Sequence, residues 1–140
     1  MPSADNANER LALDWFERLS AGDFDALRSM LHPEATWTVQ VQGVQGAGAH
    51  KGPKGIIDDF LMPVRLGLFE KGDPKLPVSN VLSKGSLVCV ETRGQGRMKN
   101  GKDYNNLYCW MLDIKDGKIF AIREYMDSYY VSTLADPLKN

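Results

Sequence analysis

Four consecutive runs of alternating residues after residue 76, each the length of a β-strand, constrain the possible folds of this chain more than any other feature. Residues alternate between two faces over 77–82, 86–98, 104–114 and 118–128, which is the period of a β-strand. The pairs Lys84-Gly85, Asn100-Gly101 and Asp116-Gly117 separate the runs, and such pairs favour tight hairpins. The second half of the chain is therefore predicted to be an antiparallel β-meander.

The first half has a helical period instead. Residues 5–20 carry an apolar stripe among charged residues, which indicates an amphipathic helix. A second, short helix is predicted from the capping residue Asp23 to the residue before His32, and a third from Pro53 to Pro63 or soon after. Three helices on one face of a curved antiparallel sheet form an α+β fold.

One strand and one loop complete the first half. Residues 36–41 alternate as a strand does, whereas the glycine-rich stretch 42–52 has no periodic pattern and is predicted to be a mobile loop. His50 lies in this loop and could reach a pocket if the loop folds over as a lid. Without such a lid, His32 and His50 are both interpreted as solvated.

Composition excludes several classes of partner. The 140 residues fit a single domain, residues 1–140, and 17 basic against 18 acidic side chains give a net charge of −1, without the basic excess of a nucleic-acid-binding protein. No apolar run is long enough to span a membrane, and the charged N-terminal stretch predicts a cytoplasmic protein. Cys89 and Cys109 lie in apolar runs without metal-ligand spacing, so we expect buried free thiols and no metal.

The alternation also predicts which side chains face inward. On one run Glu91, Arg93, Gln95 and Arg97 share the outer face and Val88, Val90 and Thr92 the inner one. On the last run the turn at Asp116-Gly117 decides the facing. A two-residue type I′ loop turns Arg123, Tyr125 and Asp127 inward, whereas a three-residue turn with a bulge at Gly117 turns Glu124 inward. The residues alone leave both open.

The helical hairpin, the strand with Trp37 and the segment YNNLYCWMLDIKDGKIFAIREYMDS together resemble the SnoaL-like branch of the superfamily named after nuclear transport factor 2. The resemblance covers nearly the whole chain. It implies a cone of curved sheet closed by three helices around an internal pocket. The branch includes ketosteroid isomerases, polyketide cyclases, limonene-epoxide hydrolases and phenazine-biosynthesis proteins, so the fold alone names no activity.

The resemblance also implies site residues. The stretch REYMD is similar to the WRDYFD of limonene-epoxide hydrolases, whose first acid is catalytic and matches Glu124, and to the REFMN of phenazine proteins, which follows an N-x-Y like Asn106 to Tyr108. This similarity favours the three-residue turn. The arginine and second aspartate of the hydrolases fall at Thr92 and Gly94, so their triad is not reproduced.

From these features we expect a cofactor-free enzyme that performs isomerisation, cyclisation or hydration on a small hydrophobic, carbonyl-bearing or cyclic molecule. Glu124 would be the acid/base, with Asn106 and Tyr108 orienting the substrate and Asp127 as the second-choice acid. The other predicted lining residues are Trp15, Thr38, Gln40, Phe60, Val90, Thr92, Trp110, Ile122 and Met126, of which Trp15 and Trp110 are interpreted first as core.

Each of these predictions has an alternative interpretation. Glu124 could be a structural partner of Asn106 or Tyr108, and those two could be cross-strand packing pairs. Asp127 and Arg123 could form a surface pair. The alternative function is a non-catalytic module that binds a small ligand or forms a homodimer through the outer face of the sheet.

Overall fold

The computed structural model describes residues 2–134, and it opens with the expected helical hairpin. Helix α1 is Ala7–Ala21 and α2 is Phe24–Met30. Asn6 caps α1 with its side-chain oxygen, and Gly22 ends it at a φ of 70°, a left-handed conformation that costs glycine little. Asp23 caps α2 by accepting a backbone N–H, as predicted.

The third helix is longer than the sequence predicts. A π-helical segment, Lys54–Leu61, passes directly into α3, Met62–Leu68. Pro63 does not stop it and lies in the first turn of α3, directly after the π-helical segment. A further helix, α4, is Ser128–Leu134 and was not predicted.

The sheet has six strands among the described residues, in the spatial order β2-β1-β6-β5-β4-β3. The strands are β1 Leu31–Val39, β2 Gly48–Lys51, β3 Val78–Lys84, β4 Leu87–Arg97, β5 Asp103–Lys115 and β6 Lys118–Met126. The predicted meander is β3 to β6. Strand β1 runs parallel to β6, so the sheet is mixed, with one parallel pair among antiparallel ones.

Strand β2 corrects the prediction of a pattern-free loop over 42–52. It pairs with the edge of β1, where His50 lies opposite Trp37. Its four residues are exposed or half-exposed, so neither face carries the apolar alternation that reveals a strand in sequence. His50 is therefore held on a strand, and only residues 40–47 form the loop.

The β5–β6 turn lies at the predicted residues but has a different geometry from the predicted one. Asp116 and Gly117 have φ values of 53° and 70° and Lys115 pairs with Lys118, which is a two-residue loop with type I′ signs. The predicted three-residue turn is wrong. The extra residue lies in β6 instead: the register shifts at Phe120, which forms a β-bulge.

Phe120 is held by contacts on both sides of the bulge. Its ring meets the His32 ring edge-on at 5.1 Å, and Lys115 Nζ lies 4.9 Å from its centroid. Pairing between β1 and β6 is irregular over the same stretch, where Pro33 has no backbone N–H to donate. Residues of β1 and β5 thus contact the bulged residue of β6.

The helices and the inner face of the sheet share one hydrophobic core. It is built from helical residues such as Leu13, Phe16 and Leu27 and from sheet residues such as Val88 and Leu112, all at most 1% exposed. The predicted α+β cone is confirmed. No helix within residues 2–134 is both long and apolar enough to cross a membrane.

Candidate active site

Glu124 lies on the inner face of β6, as predicted. It pairs with Trp110 on β5 and with Val39 on β1, and only 6% of its surface is exposed. The bulge at Phe120 produces this facing, because a two-residue turn without a bulge would place Arg123 opposite Trp110. The predicted orientation of Glu124 is therefore correct, although the three-residue turn predicted to cause it is not.

One hydrogen bond within residues 2–134 reaches the Glu124 carboxyl. Trp37 Nε1 donates to Glu124 Oε1 at 2.8 Å. Burial raises the pKa of Glu124 to about 7, against the lowering effect of the Trp37 hydrogen bond. A carboxyl with a pKa near neutrality can both take and return a proton at physiological pH.

Aromatic rings surround this hydrogen bond. The Trp37 ring lies 5.3 Å from Phe60, 5.6 Å from Trp110 and 6.2 Å from Trp15, each in an edge-on arrangement. These rings exclude water from the carboxyl and explain why desolvation dominates its pKa.

Trp37 is the site residue that sequence reasoning missed. Its strand carries a readable signal, because Ala35, Trp37, Val39 and Val41 alternate with Thr36, Thr38 and Gln40. The apolar set must face the core. The predicted lining by Thr38 and Gln40 is therefore wrong: both lie on the opposite face, and Gln40 is exposed.

A polar cluster lies farther along the inner face of β5. Asn106 Nδ2 donates to Tyr104 Oη at 3.2 Å, and the Tyr104 and Tyr108 hydroxyls are hydrogen-bonded to each other. Asn106 Oδ1 accepts the Leu107 N–H at 2.9 Å. Both polar ends of the Asn106 amide are thus engaged, so this residue anchors the cluster.

Tyr108 is the member of this cluster best placed to meet a ligand. Its ring stacks on Trp110 at 5.1 Å, beside Glu124, and its side chain is only half-buried. Desolvation raises the pKa of both tyrosines, and the negative charges of the neighbouring tyrosine and Glu124 raise that of Tyr108 further. Tyr108 therefore stays a protonated hydrogen-bond donor. The alternative of a Glu124 side chain bonded to Asn106 or Tyr108 is not what the structure shows.

The remaining predicted lining residues face the interior. Trp15, Phe60, Val90, Thr92, Trp110 and Ile122 are all buried, and Met126, half-buried, pairs with Tyr108. Thr92 Oγ1 accepts from Trp110 Nε1 at 2.9 Å, so this threonine fixes an aromatic wall. Trp15 belongs to the core, as its first interpretation held.

Asp127 lies outside the site. It is exposed and caps α4, where its Oδ1 accepts the Tyr130 N–H at 3.0 Å. Arg123 faces outward and pairs with Asp113 at 2.7 Å, so the predicted Arg123–Asp127 pair is wrong. Helix α4 begins directly after Asp127, and a backbone N–H of its first turn donates to the Asp127 carboxylate.

His50 lies at the edge of the aromatic cluster. Its ring stacks on Phe60 at 3.9 Å, and its Nε2 is 2.7 Å from the Gly46 carbonyl oxygen. Gly46 packs so closely that a Cβ there would lie 2.5 Å from the Phe60 ring. The 40–47 loop is thus fastened over the aromatic wall that shields Glu124.

One buried donor has no partner. Trp15 Nε1 is the single buried side-chain polar atom within residues 2–134 that lacks a hydrogen bond, and such an orphan costs about 1–3 kcal/mol. Two surface concavities have volumes of about 510 and 470 Å³; Tyr108 and Met126 line part of the first, and Glu124 lines neither.

A curved sheet closed by helices, with a carboxyl buried on its inner wall, places the chain among proteins of the NTF2-like fold. An NTF2-like protein of unknown function from Burkholderia pseudomallei K96243 has this fold, with a TM-score of 0.82 and 16% identity over 92% of this chain and 97% of that one. The SnoaL-like domain model matches residues 12–122. The chain belongs to the SnoaL-like family.

Two further solved structures share the fold. A putative SnoaL-like polyketide cyclase from Jannaschia sp. CCS1 has a TM-score of 0.77 and 20% identity, over 98% of this chain and 99% of that one. An LEH-like epoxide hydrolase from M. tuberculosis has a TM-score of 0.69 and 17% identity, over 88% and 84%. A search of curated proteins finds no match. Likeness at this identity establishes the fold and leaves the activity open.

Proposed function

We propose that this protein is a small-molecule enzyme in which Glu124 acts as the general acid/base on a hydrophobic, carbonyl-bearing or cyclic substrate. The observation that carries the proposal is the carboxyl itself, which is 6% exposed, walled by aromatic rings and has a pKa of about 7. A structural carboxylate in such surroundings normally has a cationic partner. Glu124 has an indole N–H instead.

Tyr108 would hold the substrate oxygen. When the Glu124 carboxylate removes a proton from the carbon next to a carbonyl, negative charge develops on the carbonyl oxygen. A phenol O–H that stays protonated and is half-shielded from water stabilises that charge by hydrogen bonding. Glu124 can then return the proton to another carbon, which amounts to an isomerisation and needs no cofactor.

A surface concavity offers further support for a ligand. The half-buried residues Tyr108 and Met126 line the concavity of about 510 Å³, through which a ligand could approach the inner face of the sheet. Apolar walls with few polar groups are typical of small-molecule sites. A putative SnoaL-like polyketide cyclase and an LEH-like epoxide hydrolase share the fold, which supports small-molecule chemistry on this scaffold.

Hydrogen–deuterium exchange tests the proposal without a known substrate. The protein is incubated in D₂O with a panel of cyclic ketones and enones, and exchange next to the carbonyl is followed by NMR. We expect Glu124→Gln to slow exchange by about 100-fold or more and Tyr108→Phe by about 10- to 100-fold. Glu17→Gln, at an exposed position of α1, is the matched control.

The pH profile adds a second criterion. If the Glu124 carboxylate is the base, kcat/KM rises as the pH passes the pKa of about 7 and this step is lost in Glu124→Gln. Exchange by Glu124→Gln at the rate of the unaltered protein would contradict the proposal.

The outer face of the sheet supports the second candidate, a module that forms a homodimer. Leu82, Leu107 and Tyr125 are 63%, 54% and 43% exposed on three different strands of this face, and such apolar side chains are typical of interfaces. Sedimentation at graded concentrations would detect the dimer. If Leu107→Lys dissociates it and Glu124→Gln leaves all exchange unchanged, the module is the better description.

A further inference from the structure

The two cysteines lie side by side, although 20 positions separate them in sequence. Cys89 on β4 and Cys109 on β5 are diagonal neighbours in the ladder, because Cys109 pairs with Glu91 and Cys89 with Met111. Their Sγ atoms are 3.7 Å apart, and both side chains are half-buried. Hairpin register, which short-range spacing does not reveal, brings the thiols together.

Solvent can reach this pair. The surface concavity of about 510 Å³ is lined by Cys109 and by its ladder partner Glu91. Leu107 and Tyr125 provide part of the apolar rim. Cys109 therefore lies in the lining of an open depression, and Cys89 lies beside it on the neighbouring strand.

We propose that Cys89 and Cys109 form a two-thiolate binding site for a soft d¹⁰ metal ion of the Zn²⁺ or Cd²⁺ type. Tetrahedral coordination with metal–sulfur bonds of about 2.3 Å places two thiolates about 3.8 Å apart, and the Sγ atoms already stand at 3.7 Å. Soft thiolate ligands select such ions over magnesium or calcium. Little side-chain movement is needed.

The binding step is a proton–metal exchange. Each thiol releases its proton to solvent, one metal–sulfur bond forms at each sulfur, and no electron is transferred. Within residues 2–134 no third His, Cys, Asp or Glu joins the pair as a ligand cluster. The remaining coordination positions would be filled by water or by a small donor, as in sites that bind a further ligand.

The charged side chains around the pair balance, because Glu91 and Asp113 stand beside Arg93 and Arg123. Burial, then Cys109 and Glu91, raise the pKa of Cys89 to about 11, so its proton competes with the metal and its thiol is a poor nucleophile toward oxidants. Affinity should rise with pH, by about tenfold per unit for each displaced proton. The other charged or titratable side chains on the outer face beside the pair are Arg93, Asp113, Arg123 and Tyr125.

Cadmium titration tests the site. The reduced protein is titrated with Cd²⁺ at pH 7.5 while the ultraviolet sulfur-to-metal charge-transfer band and the released protons are recorded. We expect saturation at no more than one ion per chain. Cys89→Ser and Cys109→Ser, each checked for folding by circular dichroism, should each weaken binding by about tenfold or more, and the double variant should show no band.

Two further measurements separate this site from non-specific binding. Bound Cd²⁺ should protect both cysteines from alkylation, as followed by mass spectrometry, and Glu91→Gln should weaken binding by a few-fold while Glu17→Gln does not. Equal labelling with and without Cd²⁺, or a charge-transfer band that survives in the double serine variant, would overturn the proposal.

Discussion

Replacing Glu124 with glutamine should change how the stability of the protein depends on pH. The amide keeps an oxygen for the Trp37 N–H to donate to, but it cannot ionise. In the unaltered protein the pKa of Glu124 rises from 4.5 to about 7 on folding, so the folded state holds this proton more tightly than the unfolded state. The free energy of unfolding must therefore fall as the pH rises from about 4.5 to 7.

The size of the effect follows from the two pKa values. Their difference, from 4.5 to about 7, multiplied by about 1.4 kcal/mol per unit, gives about 3 kcal/mol. Relative to its value at pH 4.5, Glu124→Gln should thus gain about 3 kcal/mol over the unaltered protein above pH 7. Titration of all other groups is common to both proteins and cancels in the difference.

Urea unfolding at a series of pH values from 4.5 to 8.5 measures this difference directly, provided that the m-values of the two proteins agree. Glu17→Gln controls for the loss of an exposed carboxyl. A stability difference between Glu124→Gln and the unaltered protein that stays constant across the series would refute the reasoning, because it would mean that folding leaves the Glu124 proton unaffected.

Four other substitutions test parts of the structure. Trp37→Phe removes the hydrogen bond that favours the Glu124 carboxylate, so the pKa of Glu124 should rise above 7; carboxyl ¹³C NMR measures it, and a lower value would contradict the assignment. Gly43→Ala should cost about 1 kcal/mol for its left-handed φ. Gly46→Ala, at a similar φ, should cost about 1–3 kcal/mol more for the clash with the neighbouring ring; equal denaturation midpoints for the two would exclude the clash. Arg65→Met should lower the free energy of unfolding by about 2–4 kcal/mol, because the buried guanidinium donates to carbonyls at the end of α1 and in the loop before β3. Unchanged stability in calorimetry would contradict this role of Arg65.

Much of the fold could be predicted from the sequence, because most of its elements have one solvent-exposed and one buried face. Helix α1 and strands β4 to β6 bury one side, so their apolar residues recur with the period of the element. Strand β2 lies at the sheet edge with neither face buried, and α4, seven residues long, buries only Leu134. Both were missed because short, exposed elements carry little periodic signal.

The site was predictable in part for the same reason. Glu124 could be named as one of two inward-facing alternatives, and alternation along β1 would also have revealed Trp37. The partnership between the two could not be read, because it joins residues 87 positions apart. The cysteine pair was hidden for a related reason, since cross-strand register brings the two thiols together.

The bulge at Phe120 makes the chemistry of this site a matter of chain length as much as of residue identity. A substitution of Phe120 changes a half-buried ring. An insertion or deletion elsewhere in the same hairpin, in contrast, can turn the buried side chains of β6 to the solvent and its exposed side chains to the core. The extra residue could equally reside in the turn, where a three-residue loop would keep Glu124 inside. When related hairpins are aligned, a one-residue gap between the turn and the acid should therefore be counted as functional information. Redesign of the site can proceed by moving the extra residue along the strand.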